Sequence, residues 1–325
     1  MTKRIPTKRD PVDGILLLDK PVGLSSNDAL VRARCLLEAR KAGHGGTLDP
    51  LAGGLLPLLF GEATKFALDS LDADKTYVAG LRLGVTTDSG DAEGRVLDER
   101  EPVRDAATFA AAVAAFVGPI EQVPPMHSAL KRDGRPLYEL ARAGLVVERA
   151  PRRVTIHAID VLRFAPPHAE LRVRCSKGTY IRSLAIDLGE RLGCGAHLSA
   201  LRRERVGALD LRDAVTLEAL EALALAERRA RLLPADALLL GLPRVDLDAA
   251  QGARFRHGQK LRIETNCETA CETTCADASP RRVRVYGAGQ ELLGVALQQA
   301  GELQPQRLVA APIPAPPAAG TGIER

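Results

Sequence analysis

The chain has 325 residues, of which 46% are hydrophobic and 26% charged, with a net charge of +4. These proportions exclude a disordered or collagen-like chain and leave room for two domains. No apolar run reaches about 18 residues, so no membrane span is expected. Aromatics are only 3% and tryptophan is absent, so a nucleic-acid partner would be read by shape and phosphates, not by rows of stacked bases.

Residues 1–10 are basic but have no apolar stretch behind them. That is not a secretory signal. It predicts a disordered tail and a cytoplasmic protein. Residues 14–20 are a short apolar run that predicts a buried strand. Ser25 with Asp28 three residues on predicts a helix start. That helix runs to about residue 40 and buries Ala29, Leu30, Ala33, Leu36 and Leu37. Residues 43–54 follow, Gly-His-Gly-Gly-Thr-Leu-Asp-Pro-Leu-Ala-Gly-Gly. Glycine permits close approach to the backbone and proline fixes it. The apolar run 55–60 predicts a buried strand anchoring this loop. The segment therefore reads as a shaped loop holding one acid, Asp49, in a fixed place.

Residues 62–68 predict a short helix, and 75–83 alternate with the period of a half-buried strand. Residues 87–94 form an acidic turn. Their spacing lacks the terminal glutamate of a calcium loop, so a plain polar loop is expected. Residues 106–117 predict a helix of small apolar side chains. The paired prolines keep 122–131 irregular, and Pro136 suits the first turn of a helix over 136–143. Residues 154–164 and 170–175 predict two strands. Residues 179–192 predict an amphipathic helix with Ile181, Leu184, Ala185, Leu188 and Leu192 on one face. Tyr180 and Arg182 lie in its first turn. Residues 196–209 predict a strand carrying Arg202, Arg203 and Arg205, and 216–231 a further helix.

A boundary near residue 240 separates a larger unit, 11–240, from a small all-β module over 241–311. The proline-, alanine- and glycine-rich end, 312–325, is expected to be disordered. Arginines cluster at 149–153, 202–205 and 281–284, and such clusters can track phosphates. Cys35, Cys175 and Cys194 read as buried thiols. Cys267, Cys271 and Cys275 are equally spaced, unlike common zinc motifs, and read as part of an inserted loop. No metal is expected.

The 43–54 loop resembles the catalytic motif of the TruB family, the bacterial tRNA pseudouridine-55 synthases. So do Asp19-Lys20-Pro21-Val22-Gly23, Gly61-Glu62-Ala63-Thr64-Lys65, Lys75-Thr76-Tyr77, Ser176-Lys177-Gly178-Thr179-Tyr180-Ile181-Arg182 and Leu201-Arg202-Arg203. The six stretches keep their order over residues 11–240. The resemblance implies an α+β fold: a mixed, largely antiparallel central sheet with flanking helices. The C-terminal module resembles the small RNA-binding PUA domain. The implied reaction converts a uridine of the TΨC loop to pseudouridine, with no cofactor or metal. The implied partner is the T stem-loop of tRNA, bound by a monomer.

The resemblance also implies roles. Asp49 is the catalytic acid, acting as nucleophile or as base at the sugar. A glycosidase uses two carboxylates because water must also be handled; here the base is retained and one suffices. Arg182 pairs with Asp49 and orients it. Tyr77 stacks on the flipped uracil, since an enzyme acting on a base must extrude it. Tyr180 lines the same pocket and Leu201 walls it. His44 enters the RNA loop that the base vacates. Lys20 contacts phosphate or supports the catalytic loop. Gly45 and Gly53 stand where the family commonly has threonine, which predicts a tolerated but softer loop. His127 stands where an aromatic is usual. The alternative is a non-catalytic tRNA-folding chaperone, which would use the same surface without needing Asp49.

Overall fold

The computed structural model describes residues 9–126, 131–132, 135–136, 139, 145, 147–263 and 279–310. The chain divides into two units, Met1–Leu238 and Leu239–Arg325.

The first unit is built on one mixed sheet. Its early elements are β1 (Gly14–Lys20), α1 (Ser26–Leu36), β2 (Ala42–His44), β3 (Ala52–Phe60), α2 (Ala67–Asp72) and β4 (Lys75–Leu83). Next come β5 (Val85–Thr87), β6 (Val96–Glu99), α3 (Ala106–Ala114), β7 (Gly118–Gln122), β8 (Lys131–Arg132) and β9 (Arg135–Pro136). Then follow β10 (Arg152–Ala165), β11 (His168–Cys175), α4 (Ile181–Arg191), β12 (Ala196–Val206), β13 (Leu209–Asp210) and β14 (Val215–Thr216). Two short helices, α5 (Leu217–Ala222) and α6 (Leu225–Ala230), come after β14. The sheet order is β14-β1-β3-β12-β4-β11-β10-β7. Only β1–β14 and β3–β12 pair in parallel along this path, so the expected mixed, largely antiparallel sheet is what forms.

The pattern of each strand follows from its place. All nine residues of β3 are buried, as a continuous apolar run at the sheet's centre should be. β11 alternates strictly, with Ala169, Leu171, Val173 and Cys175 inside. Those residues, with Ala79, Leu81 and Leu83 of β4, pack on Ile181, Leu184, Ala185 and Leu188 of α4. A second core joins β1 and β3 to Ala29, Ala33 and Leu37. At about 25 cal/mol per Å² of apolar surface, each buried leucine contributes roughly 1.5–3 kcal/mol.

Several boundaries differ from the sequence expectation. Asp10, assigned to the tail, bridges Ala39 and accepts a hydrogen bond from Arg229 at 2.6 Å. α1 starts as expected, with Ser25 accepting from the Asp28 amide, but stops at Leu36 because Glu38 takes a positive φ of 55°. β2 contains Gly43 and β3 begins at Ala52, so three of the loop glycines, Gly43, Gly53 and Gly54, are strand residues. The expected helix over 62–68 is a 3-10 turn, Gly61–Phe66, leading into α2. The expected helix over 216–231 is two. Ala224 is extended, and the Glu227 carboxylate accepts from its amide at 2.9 Å, starting a new helix. Pro136 closes the two-stranded β8–β9 ladder, where proline is tolerated as at a sheet edge. His127 and most of the helix expected over 136–143 lie outside the described residues.

The second unit carries β15 (Arg244–Asp246), α7 (Ala249–Arg256), β16 (Leu261–Arg262), β17 (Arg281–Tyr286), β18 (Leu292–Gln299) and β19 (Glu302–Leu308). The five strands form the expected sheet, in the order β15-β17-β18-β19-β16. One helix is added. Asp248 caps it in a reciprocal box with Gln251, and Phe255 fills the small core. Cys267, Cys271 and Cys275 lie outside the described residues. No helix among the described residues is long and apolar enough to cross a membrane.

Candidate active site

The sheet register assembles the site. Leu201 of β12 pairs with Ala52 of β3 on one side and Ala79 of β4 on the other. Arg203 pairs with Gly54 and with Tyr77 in the same way. Thus the end of the glycine-rich loop, the arginine strand and the tyrosine strand lie side by side. The sequence alone gives no means of reading this pairing.

Asp49 sits where the loop is held by its own backbone. The Ala52 amide donates to Asp49 O at 3.0 Å, and the Gly23 amide to Pro50 O at 2.8 Å. Ser26 is buried and pins the preceding residue twice. Its Oγ donates to Leu48 O at 2.9 Å and accepts from the Leu48 amide at 2.8 Å. Lys20 is fully buried, and its Nζ donates to Pro21 O at 2.9 Å and Leu24 O at 2.6 Å. Burial lowers its pKa to about 8, against the pull of Asp49. Of the two expected roles for Lys20, this geometry serves support of the loop and offers nothing to a phosphate.

Arg182 meets Asp49. The distance from Nη2 to Asp49 Oδ2 is 2.8 Å. The arginine is 5% exposed and the aspartate 43%, so one end of the pair is fixed in the protein and the other faces out. A second carboxylate, Asp91, stands 3.5 Å from Arg182 Nε and is itself 6% exposed. Arg182 Nη1 also donates to Ser89 O at 3.3 Å. A cation in the first turn of a helix opposes the helix dipole; here two carboxylates offset that. Asp91 belongs to the acidic turn that reads as a plain polar loop. Nothing in its spacing marks it, because its role depends on β5, β6 and α4 converging.

Tyr77 and Leu201 are partly buried and pack against both main cores. Burial raises the Tyr77 pKa, opposed by the nearby Arg203 charge. Tyr180 is the N-cap residue of α4. Gln122 clamps its backbone, accepting from its amide at 3.0 Å and donating to its carbonyl at 3.2 Å. Burial and the nearby Arg203 charge lower the His44 pKa, favouring the neutral ring. Its Nδ1 is buried without a hydrogen-bond partner. Ser26, Asp91, Gln122 and Arg203 are the supporting residues that sequence reasoning missed.

Of the 202–205 arginines, Arg202 and Arg205 remain about half exposed in surface ion pairs, and Arg203 is withdrawn into the core. Arg203 is 1% exposed. Arg202 binds Asp19 at 2.7 Å and Arg205 binds Asp210 at 2.8 Å.

The side-chain space at Gly45 is already occupied. A Cβ there would lie 2.2 Å from Ser70 Oγ and 2.7 Å from Ser70 Cβ. Ser70 is fully buried and donates to Gly45 O at 2.8 Å. Lys75 secures the same turn from below, donating to the carbonyls of Ser70, Leu71 and Ala73 at 3.0, 2.6 and 2.6 Å. The space that threonine would take is filled by another part of the chain. Gly45→Thr should therefore cost about 1–3 kcal/mol through overpacking. Adding Ser70→Gly should return at least half of it. Urea unfolding of the three proteins checks this, and equal stability of Gly45→Thr and wild type would contradict it.

Among the described residues no group of three or more histidines, cysteines or acids could hold a metal. Three family models match in succession. "TruB family pseudouridylate synthase (N terminal domain)" covers residues 34–181. "tRNA pseudouridylate synthase B C-terminal domain" covers 182–240, and "Pseudouridine synthase II TruB, C-terminal" covers 243–309. A protein of Burkholderia mallei named tRNA pseudouridine synthase B is 61% identical over 301 residues, 93% of this chain and 98% of the relative. One of the same name from Ralstonia nicotianae is 59% identical over 322 residues, 95% of this chain and 99% of the relative. Among solved structures, a chain of a Cbf5-Nop10-Gar1 complex superposes with a TM-score of 0.69 at 24% identity, covering 91% of this chain and 84% of that one. That likeness speaks for the fold, and the sequence matches extend it to kinship: the chain belongs to the TruB family of pseudouridine synthases.

Proposed function

We propose that this pseudouridine synthase acts on uridine 55 in the TΨC loop of tRNA, with Asp49 as its catalytic residue. The observation that carries the chemistry is the Asp49–Arg182 contact at 2.8 Å, buried at the arginine and open at the acid. The action on tRNA rests on relatives that are named for it at 59–61% identity over nearly their whole length.

In the reaction the N1–C1′ bond of uridine breaks, the freed uracil turns, and C5 bonds to C1′. The C5 proton leaves and N1 takes one up, so the product is an isomer. Asp49 acts at the sugar, where an ionised carboxylate can hold the electron-poor C1′ or take a proton. Arg182 occupies one carboxylate oxygen and aims the other outward. Tyr77 and Leu201 offer the faces against which the extruded base rests. Tyr180, held by Gln122, closes the pocket from the start of α4. His44, neutral and with an unfilled nitrogen, is placed to enter the vacated RNA loop. The C-terminal unit adds a PUA-like RNA contact. The protein works as a monomer in the cytoplasm.

The test is to map pseudouridine in tRNA from cells lacking this protein. Loss confined to position 55, restored by the wild-type chain, is expected; a tRNA pool unchanged at that position would end the assignment. Binding of the purified protein to a T stem-loop should weaken steeply between 50 and 200 mM salt, as phosphate contacts require. A flat response would remove the phosphates from the interface.

A further inference from the structure

Strand β3 is flanked on one side by β1, which pairs with Gly54–Phe60. Its other side is shared by two strands. β12 pairs there with Ala52–Gly54 in parallel, and β2 with Leu58–Phe60 antiparallel. Leu55 and Leu56 lie in the gap between these partners, and buried backbone groups in such a gap need other partners. The Arg203 side chain enters it. Nε donates to Leu55 O at 2.7 Å and Nη2 to Gly46 O at 3.2 Å. Gly46 stands three residues before Asp49 and Leu55 six after it. One guanidinium therefore bridges the two ends of the loop that carries Asp49.

Arg203 is 1% exposed, and among the described residues it forms no ion pair with an acid. A buried cation is ordinarily paired with one; here backbone oxygens take that place. Its own backbone is fixed as well. A Cβ on Gly54 would lie 2.8 Å from Arg203 N, and Gly54 has a φ of 96°, so glycine is what lets β12 close on β3 at this residue. The fork fans out from a fixed point.

We propose that Arg203 is a positioning residue that ties the entry of the catalytic loop to its exit, so that Asp49 meets the sugar from a closed loop. This rests on Asp49 being the catalytic residue, as proposed above. Ser26 holds Leu48 and the Gly23 amide holds Pro50 O. Those contacts grip the middle of the loop, and Arg203 joins its ends. Lysine keeps the charge but replaces a planar fork with a single point, which reaches one carbonyl and leaves the other. Small displacements of reacting groups cost up to about 10²-fold in rate.

The experiment compares wild type, Arg203→Lys and Asp49→Asn in tritium release from tRNA labelled at uridine C5 and in amide hydrogen exchange. Arg203→Lys should lower kcat about 10- to 100-fold and leave KM within about threefold. The Leu48 and Ala52 amides should exchange at least about tenfold faster than in wild type, while those of β11 and α4 keep their rates. A general loss of stability would instead speed exchange throughout. Wild-type kcat, or exchange that rises equally in loop and core, overturns the proposal. If Arg203→Lys does not fold, Arg203→Met, which removes the buried charge together with the fork, takes its place with the same expected results. If neither folds, wild-type exchange decides: a loop closed at both ends protects Leu48 and Ala52 to within about tenfold of Leu55 and Leu56, and exchange at the rate of an open surface loop overturns the proposal. Asp49→Asn separates the underlying reading. Full turnover by it ends both ideas; an inactive Asp49→Asn beside a fully active Arg203→Lys sinks only the bridge.

Discussion

Asp49→Asn should bind tRNA within about threefold of wild type and turn over at least about 10⁴-fold more slowly, the upper range for a lost acid–base group. Asparagine has the same shape, and the side chain is 43% exposed, so the fold does not depend on its charge. Arg182 keeps Asp91 as a partner, so no buried cation is stranded. What disappears is the only property the amide cannot supply: an oxygen basic enough to act at the sugar. Tritium release from tRNA labelled at uridine C5 measures turnover, and filter binding measures affinity. Full turnover by this variant would remove Asp49 from the chemistry and leave the catalytic group to be found elsewhere; lost binding would instead mean that the loop itself had collapsed.

The second large effect is at Arg182. Arg182→Met strands Asp91, which is 6% exposed, without its cation. Breaking a buried pair from one side costs about 3–5 kcal/mol, and activity should vanish as well because Asp49 loses its orienting partner. These two effects are separable. Arg182→Met combined with Asp91→Leu removes both buried charges and should recover most of the stability, since an apolar replacement of a buried pair is often neutral. Activity should not return, because Asp49 is still unsupported. Urea unfolding and tritium release on the single and double variants give the answer. A stable, active double variant would show that Arg182 serves only to neutralise Asp91.

Much of the fold was legible because its signals are local. β1 and β4 match their expected bounds, since an apolar run and a period of two each declare themselves within nine residues. Asp49 and Arg182 were legible as a pair only through the family motifs, and the direct contact bears out their proximity. The supporting residues were not legible, and for one reason. Ser26 serves a loop 22 positions away, Ser70 one 25 away, Gln122 a residue 58 away and Arg203 one 157 away. Each satisfies backbone groups that an irregular loop leaves unpaired. Which side chain arrives there depends on sheet register, not on local pattern.

Gly45 shows the cost of judging one position alone. By itself the missing side chain promised a looser loop, but Ser70 and Lys75 fill and fasten that place from α2 and β4. The arginine strand makes the same point: what reads as one basic patch is two surface ion pairs and a fully buried staple.

The sequence by itself determined most of the elements of the sheet and the place of one acid in a glycine-rich loop, because propensity, periodicity and glycine–proline chemistry act over a few residues. The tertiary structure alone decided what holds that acid. The parallel pairing of β3 with β12 sets Arg203 behind the loop, and the convergence of α4 with the 87–94 turn gives Arg182 a second carboxylate. These are contacts between distant segments, and burial makes each of them matter: inside the fold an unpaired charge or backbone group costs kilocalories, so the geometry that pairs them is the geometry that positions Asp49.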